Sequence, residues 1–171
     1  MRTLAIAVAA AAATGALLSG CSFSIGTPTV SAADLQNDIS SRLEKAGEKP
    51  QSVTCKDDLK GEVGQTTRCE VVLSATNAFE PIVAVTKVDG STVSYEMTPA
   101  LSQEQLQKQV GDLVSTQNGI EVENVTCESG LEGKKDNTAK CTLESGGDKL
   151  DAVVTVTKVD GLMMNFSVDE A

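Results

Sequence analysis

The sequence repeats itself, and the repeat limits the fold more than any other feature. Val53-Thr54-Cys55 returns as Val125-Thr126-Cys127, 72 positions on, and Cys69 returns as Cys141 at the same offset. Between the paired cysteines, Leu59 and Gly61 match Leu131 and Gly133. Thr86-Lys87-Val88-Asp89-Gly90 returns as Thr157-Lys158-Val159-Asp160-Gly161 at an offset of 71, so one residue is lost in between. Upstream, Ser31, Leu35, Ile39 and Leu43 match Ser102, Leu106, Val110 and Val114, and downstream Val93, Tyr95 and Met97 match Met164, Phe166 and Val168. A fixed internal period marks copies of one supersecondary unit. The chain therefore folds as one small module written twice, and what both copies keep is what the module requires.

Each copy opens with a helix. Leu35, Ile39 and Leu43 recur every four residues behind Ser31 as N-cap and Asp34 in the first turn, and Gly47 and Pro50 end the segment. In the second copy Ser102 caps, Glu104 lies in the first turn, Leu106, Val110, Leu113 and Val114 form the apolar stripe, and Gly119 closes it. Four strands follow. The first holds Val53-Thr54-Cys55, the second runs from Cys69 through Val71 and Leu73, and the third is Ile82–Val88. Asp89-Gly90 then reads as a two-residue type I′ hairpin turn. The fourth strand alternates Val93, Tyr95 and Met97 inward with Thr92, Ser94 and Glu96 outward. The fold class is α+β: two tandem modules, each one helix packed on a four-stranded antiparallel sheet.

The chain has five cysteines. Cys55, Cys69, Cys127 and Cys141 allow three pairings. Equal spacing inside each repeat favours Cys55–Cys69 and Cys127–Cys141. Each bridge closes a 15-residue loop, worth about 3 kcal/mol in the chain-entropy model, which matters in a small module with little aromatic core. A Cys₄ zinc site would need C-x₂₋₄-C spacing, and a redox role C-x-x-C; neither is present.

The fifth cysteine, Cys21, belongs to a different feature. Arg2 is followed by a 14-residue apolar run from Leu4 to Leu17, the layout of a signal peptide and too short for a stable membrane span. It ends in Leu18-Ser19-Gly20-Cys21, which resembles the bacterial lipobox. That resemblance implies cleavage before Cys21 and a lipid on its sulfur. The expected organisation is 1–20 signal peptide, 21–29 lipidated Cys21 and tether, 30–99 first module and 100–171 second module.

Charge and composition exclude several functions. There is no His and no Trp, one Tyr and three Phe, with 24 acidic and 14 basic residues. Without His there is no Ser-His-Asp or Cys-His catalysis, and no S-x-x-K offers a Ser-Lys alternative. An acidic chain nearly free of aromatics does not suit nucleic acid. Removing Arg2 with the signal leaves 13 basic and 24 acidic residues, net −11. Lipid rather than charge must therefore hold the protein at a membrane.

Lipobox, helix, Val-Thr-Cys, a second Cys 14 positions on and the Val-Thr-Lys-Val-Asp-Gly hairpin together resemble a family of small actinobacterial cell-envelope domains of unknown function, frequent in mycobacterial lipoproteins. The resemblance spans Val30 to Val168 and implies an envelope location, one disulfide per domain and no known reaction. The tandem layout also resembles β-lactamase-inhibitory protein, which binds an enzyme across an aromatic-rich concave sheet. Here Tyr95 and Phe166 alternate into the predicted core instead.

Few residues stand out as a site. Asp57, Asp58 and Glu62 have the oxygen chemistry for calcium, but the second copy places Ser129-Gly130 where the first has Asp57-Asp58, so they read as solvated loop acids and no metal is expected. Asp89 and Asp160 read as turn residues, and Lys87 and Lys158 as outward-facing strand lysines. Lys134, Lys135 and Lys140 form a basic spot in the second cysteine loop, and Arg68 and Lys140 each precede the second Cys of their copy. These four are the candidate contacts for an envelope protein or polymer. The expected function is a non-enzymatic envelope lipoprotein without cofactor, attached to the membrane through Cys21. A carrier of a small apolar or lipid ligand and a hydrolase inhibitor are the alternatives.

Overall fold

The computed structural model describes residues 26–119 and 121–171. The first module comprises β1 (Thr29–Val30), α1 (Ala32–Lys45), β2 (Ser52–Cys55), β3 (Leu59–Lys60), β4 (Thr66–Val72), β5 (Ala78–Phe79), β6 (Ile82–Asp89) and β7 (Thr92–Thr98). The second comprises β8 (Ala100–Leu101), α2 (Gln103–Asn118), β9 (Asn124–Cys127), β10 (Leu131–Glu132), β11 (Thr138–Ser145), β12 (Asp148–Asp160) and β13 (Met163–Glu170). The principal sheets run β2-β4-β6-β7 and β9-β11-β12-β13, all antiparallel. The expected α+β architecture is present in both halves.

Both helices start where the polar–apolar pattern places them. The Ser31 hydroxyl accepts the Asp34 N–H, and Ser102 forms a full capping box with Gln105. Leu35, Ile39, Leu43, Leu106 and Val110 are buried against the sheets. Gly119 ends α2 in the left-handed conformation at φ 65°. Cys55 faces Cys69 and Cys127 faces Cys141 directly across paired strands, and both expected bridges are formed.

Three local features depart from expectation. The hairpin loops are Gly90-Ser91 and Gly161-Leu162, with Asp89 paired to Thr92 and Asp160 to Met163. Only the glycines have positive φ, 60° and 59°, so these are not I′ turns; a single positive φ at the first loop residue is the type II′ pattern. Asp89 and Asp160 are therefore strand ends, each 3.3 Å from the lysine two positions earlier, Lys87 and Lys158.

Second, the tether ends before Thr29. Pro28 accepts a hydrogen bond from the Gly61 N–H (2.6 Å), and β1 pairs with β3. Third, the second module repeats this clasp through Pro99, Gly133 and the β8–β10 pair. A Cβ on Gly61 would collide with Pro28, and one on Gly133 with Pro99. Backbone proximity explains why both copies keep glycine there.

The modules share an interface built from positions at which the copies differ. The β12–β13 tip, Asp160–Met163, borders a small cleft together with Leu43 and Ala46 of α1 and Met97 of β7. Leu162 is 7% exposed there, whereas its counterpart Ser91 is exposed. Phe79, 6% exposed, shares the buried cluster with Leu101 and Leu162 of the second module and borders a small cleft with them and Gln109. Lys108 donates to the Ala75 carbonyl (2.9 Å) and Gln109 to the Ala78 carbonyl (2.7 Å). The corresponding residues of α1 are Asn37 and Asp38. Asp38 instead stays within its module, accepting from Tyr95 (2.9 Å) and Arg42 (3.1 Å).

Candidate functional site

The helices cover one face of each sheet and leave the other exposed. On that outer face the strand alternation places Thr54, Thr66, Arg68 and Glu70 in the first module. Thr126, Thr138, Lys140 and Thr142 take the same places in the second. The buried partners between them, Cys69 and Val71, or Ala139, Cys141 and Leu143, point to the core. Burial on one side thus forces these polar residues onto the other.

Each module carries a cleft at the same spot, beside the disulfide. The first, about 530 Å³, is lined by Thr54, Thr66, Arg68, Glu70 and Glu80 with the Lys56–Asp58 loop. The second, about 360 Å³, is lined by Thr126, Glu128, Lys140, Thr142 and Asp151. The cleft chemistry is kept where packing does not require it: Thr54 corresponds to Thr126, Arg68 to Lys140 and Glu80 to Asp151. Arg68 Nη1 lies 3.8 Å from Glu80, a loose pair with both side chains partly exposed. Asp151 accepts from the Thr142 hydroxyl (2.8 Å). A third cleft, about 600 Å³, runs between the modules past Arg68, Glu80, Ser102, Asn137 and Thr138.

The four candidate contact residues do not gather into one basic spot. Arg68 and Lys140 occupy equivalent positions on the two outer faces, so the repeat, rather than nearness in sequence, unites them. Lys134 lies in the β10–β11 turn and is paired with Glu132 (2.9 Å); Lys135 is exposed in the same turn. In the first module Asp58 accepts the Ala32 N–H (2.8 Å) at the start of α1, which gives it a structural role. Among the described residues no group of three or more His, Cys, Asp or Glu side chains is arranged to hold a metal ion.

The paired glutamines Gln36 and Gln107 were not singled out by the sequence reading. Gln36 Oε1 accepts the Cys55 N–H (3.0 Å) and Gln107 Oε1 the Cys127 N–H (3.1 Å), so each helix is fastened to the strand that carries the first cysteine. The signal was present: the two residues align at the helix offset of 71. Beside this clamp, burial pushes the Asp38 carboxyl up, but the hydrogen bonds from Arg42 and Tyr95 and the nearby Arg42 and Lys45 charges outweigh it, and the group stays below its ordinary value. Burial and the Asp38 carboxylate push the Tyr95 hydroxyl up to about 12.

Cys21 lies outside the described residues, and among the described residues no helix is long and apolar enough to cross a membrane. The family described as a domain of unknown function (DUF4333) matches the chain twice, at residues 16–90 and 91–161. No curated protein and no solved structure matches it.

Proposed function

We propose that this chain, which belongs in both of its halves to the DUF4333 family of unknown function, is a non-enzymatic lipoprotein of an actinobacterial cell envelope. Lipid on Cys21 holds it to the outer side of the plasma membrane, and its two modules present the clefts of their outer faces to a partner. The carrying observation is Leu18-Ser19-Gly20-Cys21 placed directly behind a 14-residue apolar run. The distance also suits a tether. Six residues separate Cys21 from Pro28, where the first module begins, and they reach at most about 20 Å. Net charge opposes binding to anionic headgroups, so the acyl chains supply the attachment.

The two alternatives fit less well. A carrier of an apolar ligand needs room between helix and sheet, where Leu35, Ile39, Leu43, Leu106 and Val110 are packed with almost no exposure. An inhibitor of the β-lactamase-inhibitory kind presents aromatics on its open sheet. Here Tyr95 bonds to Asp38 and Phe166 packs against the core cluster.

Replacing Cys21 by Ala should move the protein from the membrane fraction to the soluble fraction, and the wild-type N-terminal peptide should carry the mass of a diacylglycerol. Retention of the Cys21→Ala chain in membranes, or an unmodified Cys21, refutes the reading.

A further inference from the structure

The two small clefts at the junction of the modules adjoin each other, because Leu162 and Met163 border both. Met97 borders one, about 190 Å³, with Leu43 and Ala46 of α1. Met164 borders the other, about 200 Å³, with Phe79 and Leu101. The chain has four methionines, and the remaining one is Met1. Every methionine among the described residues therefore lies at this junction. None has a methionine as its counterpart in the other copy: Met97 corresponds to Val168, Met163 to Thr92 and Met164 to Val93. The module folds without sulfur at these places, so the thioethers came with the joint.

We propose that Met97 and Met163 are modification sites for a hydroperoxide, and that their conversion to sulfoxides releases one module from the other. With hydrogen peroxide, a sulfur lone pair attacks one peroxide oxygen, and the S–O bond forms as the O–O bond breaks. The sulfur is oxidised by two electrons and the peroxide is reduced. The departing hydroxide takes the proton of the transferred oxygen and leaves as water. The site depends neither on the lipid anchor nor on a partner at the outer faces.

Access is the first argument. A thioether needs no deprotonation to react, so reach to the sulfur governs its oxidation. Met97 and Met163 are only partly buried, and each cleft has room for several molecules of water size, about 30 Å³ in the liquid. The disulfide sulfurs belong to buried cysteines that are already oxidised and do not compete.

Consequence is the second argument. Both side chains pack against the hydrophobic cluster, next to Leu162 at 7% exposure. Oxidation turns a flexible apolar group into a polar one, which disrupts methionine-rich contacts. The new oxygen needs a donor. The polar groups bordering the clefts, Arg42 and Gln109, already hold Asp38 and the Ala78 carbonyl. The sulfoxide competes for them or draws in water, and Gln109 is one of the hydrogen bonds that join the modules. Met164 differs: a Cβ on Gly133 would lie 3.1 Å from its Sδ, so this sulfur rests on the clasp of its own module and provides an internal comparison.

Calorimetry of the purified full chain before and after mild hydrogen peroxide, with peptide mass spectrometry, tests this. Met97 and Met163 should each gain one oxygen while the chain is still folded. The single transition should split, and the lower midpoint should fall by about 4–8 °C. Methionine sulfoxide reductase should restore the single transition. The Met97→Leu/Met163→Leu chain keeps side-chain volume without a thioether, and it should retain one transition after the same treatment although Met164 is oxidised. Oxidation of Met97 and Met163 with an unchanged melt overturns the proposal. So does oxidation only after unfolding, or a split in the treated double variant. Cys21→Ala should respond to peroxide as the wild type does, and a lost response there would assign the effect to the lipid-bearing sulfur instead.

Discussion

Tyr95 is the only tyrosine in the chain, so its hydroxyl can be followed alone. It keeps its proton in the folded chain to about 12, against 10.0 when free. Between these values the folded state binds more protons than the unfolded one, so this group's contribution to stability is fully present below about 10 and is lost as pH rises to about 12. Asp38 acts at the other end of the scale. Its folded value is depressed, so its contribution is present above the unfolded value of 3.8 and is lost as pH falls through the folded value. We predict that phenolate absorbance titrates near 12 in the native protein and distinctly lower in Asp38→Ala, because the hydrogen bond and the neighbouring negative charge are gone. Equal midpoints would show that Asp38 does not hold Tyr95. That Tyr95 points inward was legible in the alternation of its strand. Its partner was not, because Asp38 lies on a helix 57 positions away, and nothing local marks that pairing.

The elements were largely legible, and the misses share one cause. Helix stripes, N-caps and the long strands follow from periods of 3.6 and 2. The two-residue strands β1, β3, β8 and β10 are too short to show a period, and they exist only because Pro28 and Pro99 are clasped against Gly61 and Gly133. The hairpin loops moved by one residue because Asp89 and Asp160 pair in the ladder. The glutamine clamp is likewise an element-scale device that joins helix to cysteine strand in each copy. Gln36→Ala should leave the Cys55 N–H without its acceptor and lower stability by about 1–2 kcal/mol in urea melts, with a similar loss for Gln107→Ala. A loss below a few tenths of a kcal/mol would mean that water replaces the amide.

At the scale of the molecule, one hydrophobic cluster runs through both modules. We therefore expect a single calorimetric transition whose measured and van't Hoff enthalpies agree. Phe79 and its counterpart Leu150 offer the sharpest contrast, at 6% and 45% exposure. Phe79→Ala should cost about 3 kcal/mol, as for a truncated core aromatic, whereas Leu150→Ala should cost less than about 1 kcal/mol. Leu162→Ser, which installs the residue found at the same place in the first copy, should uncouple the modules and split the transition in two. Equal costs at residues 79 and 150, or one transition in Leu162→Ser, would remove the interface from the account.

The sequence by itself determined the duplication, the module's layout and the pairing of the disulfides, because each is written in local periods or in spacing along the chain. Only the tertiary structure decided which differences between the copies matter. Ser91 against Leu162, Asp38 against Gln109 and Tyr95 against Phe166 read as drift in an alignment. Once packed, they divide the labour: one copy closes on itself and the other grips its neighbour. The same holds for Arg68 and Lys140, two scattered cations in the sequence that become equivalent points on the two outer sheet faces when the sheets form. Contact between residues far apart in the chain is set by how faces meet in three dimensions, and no local period records that.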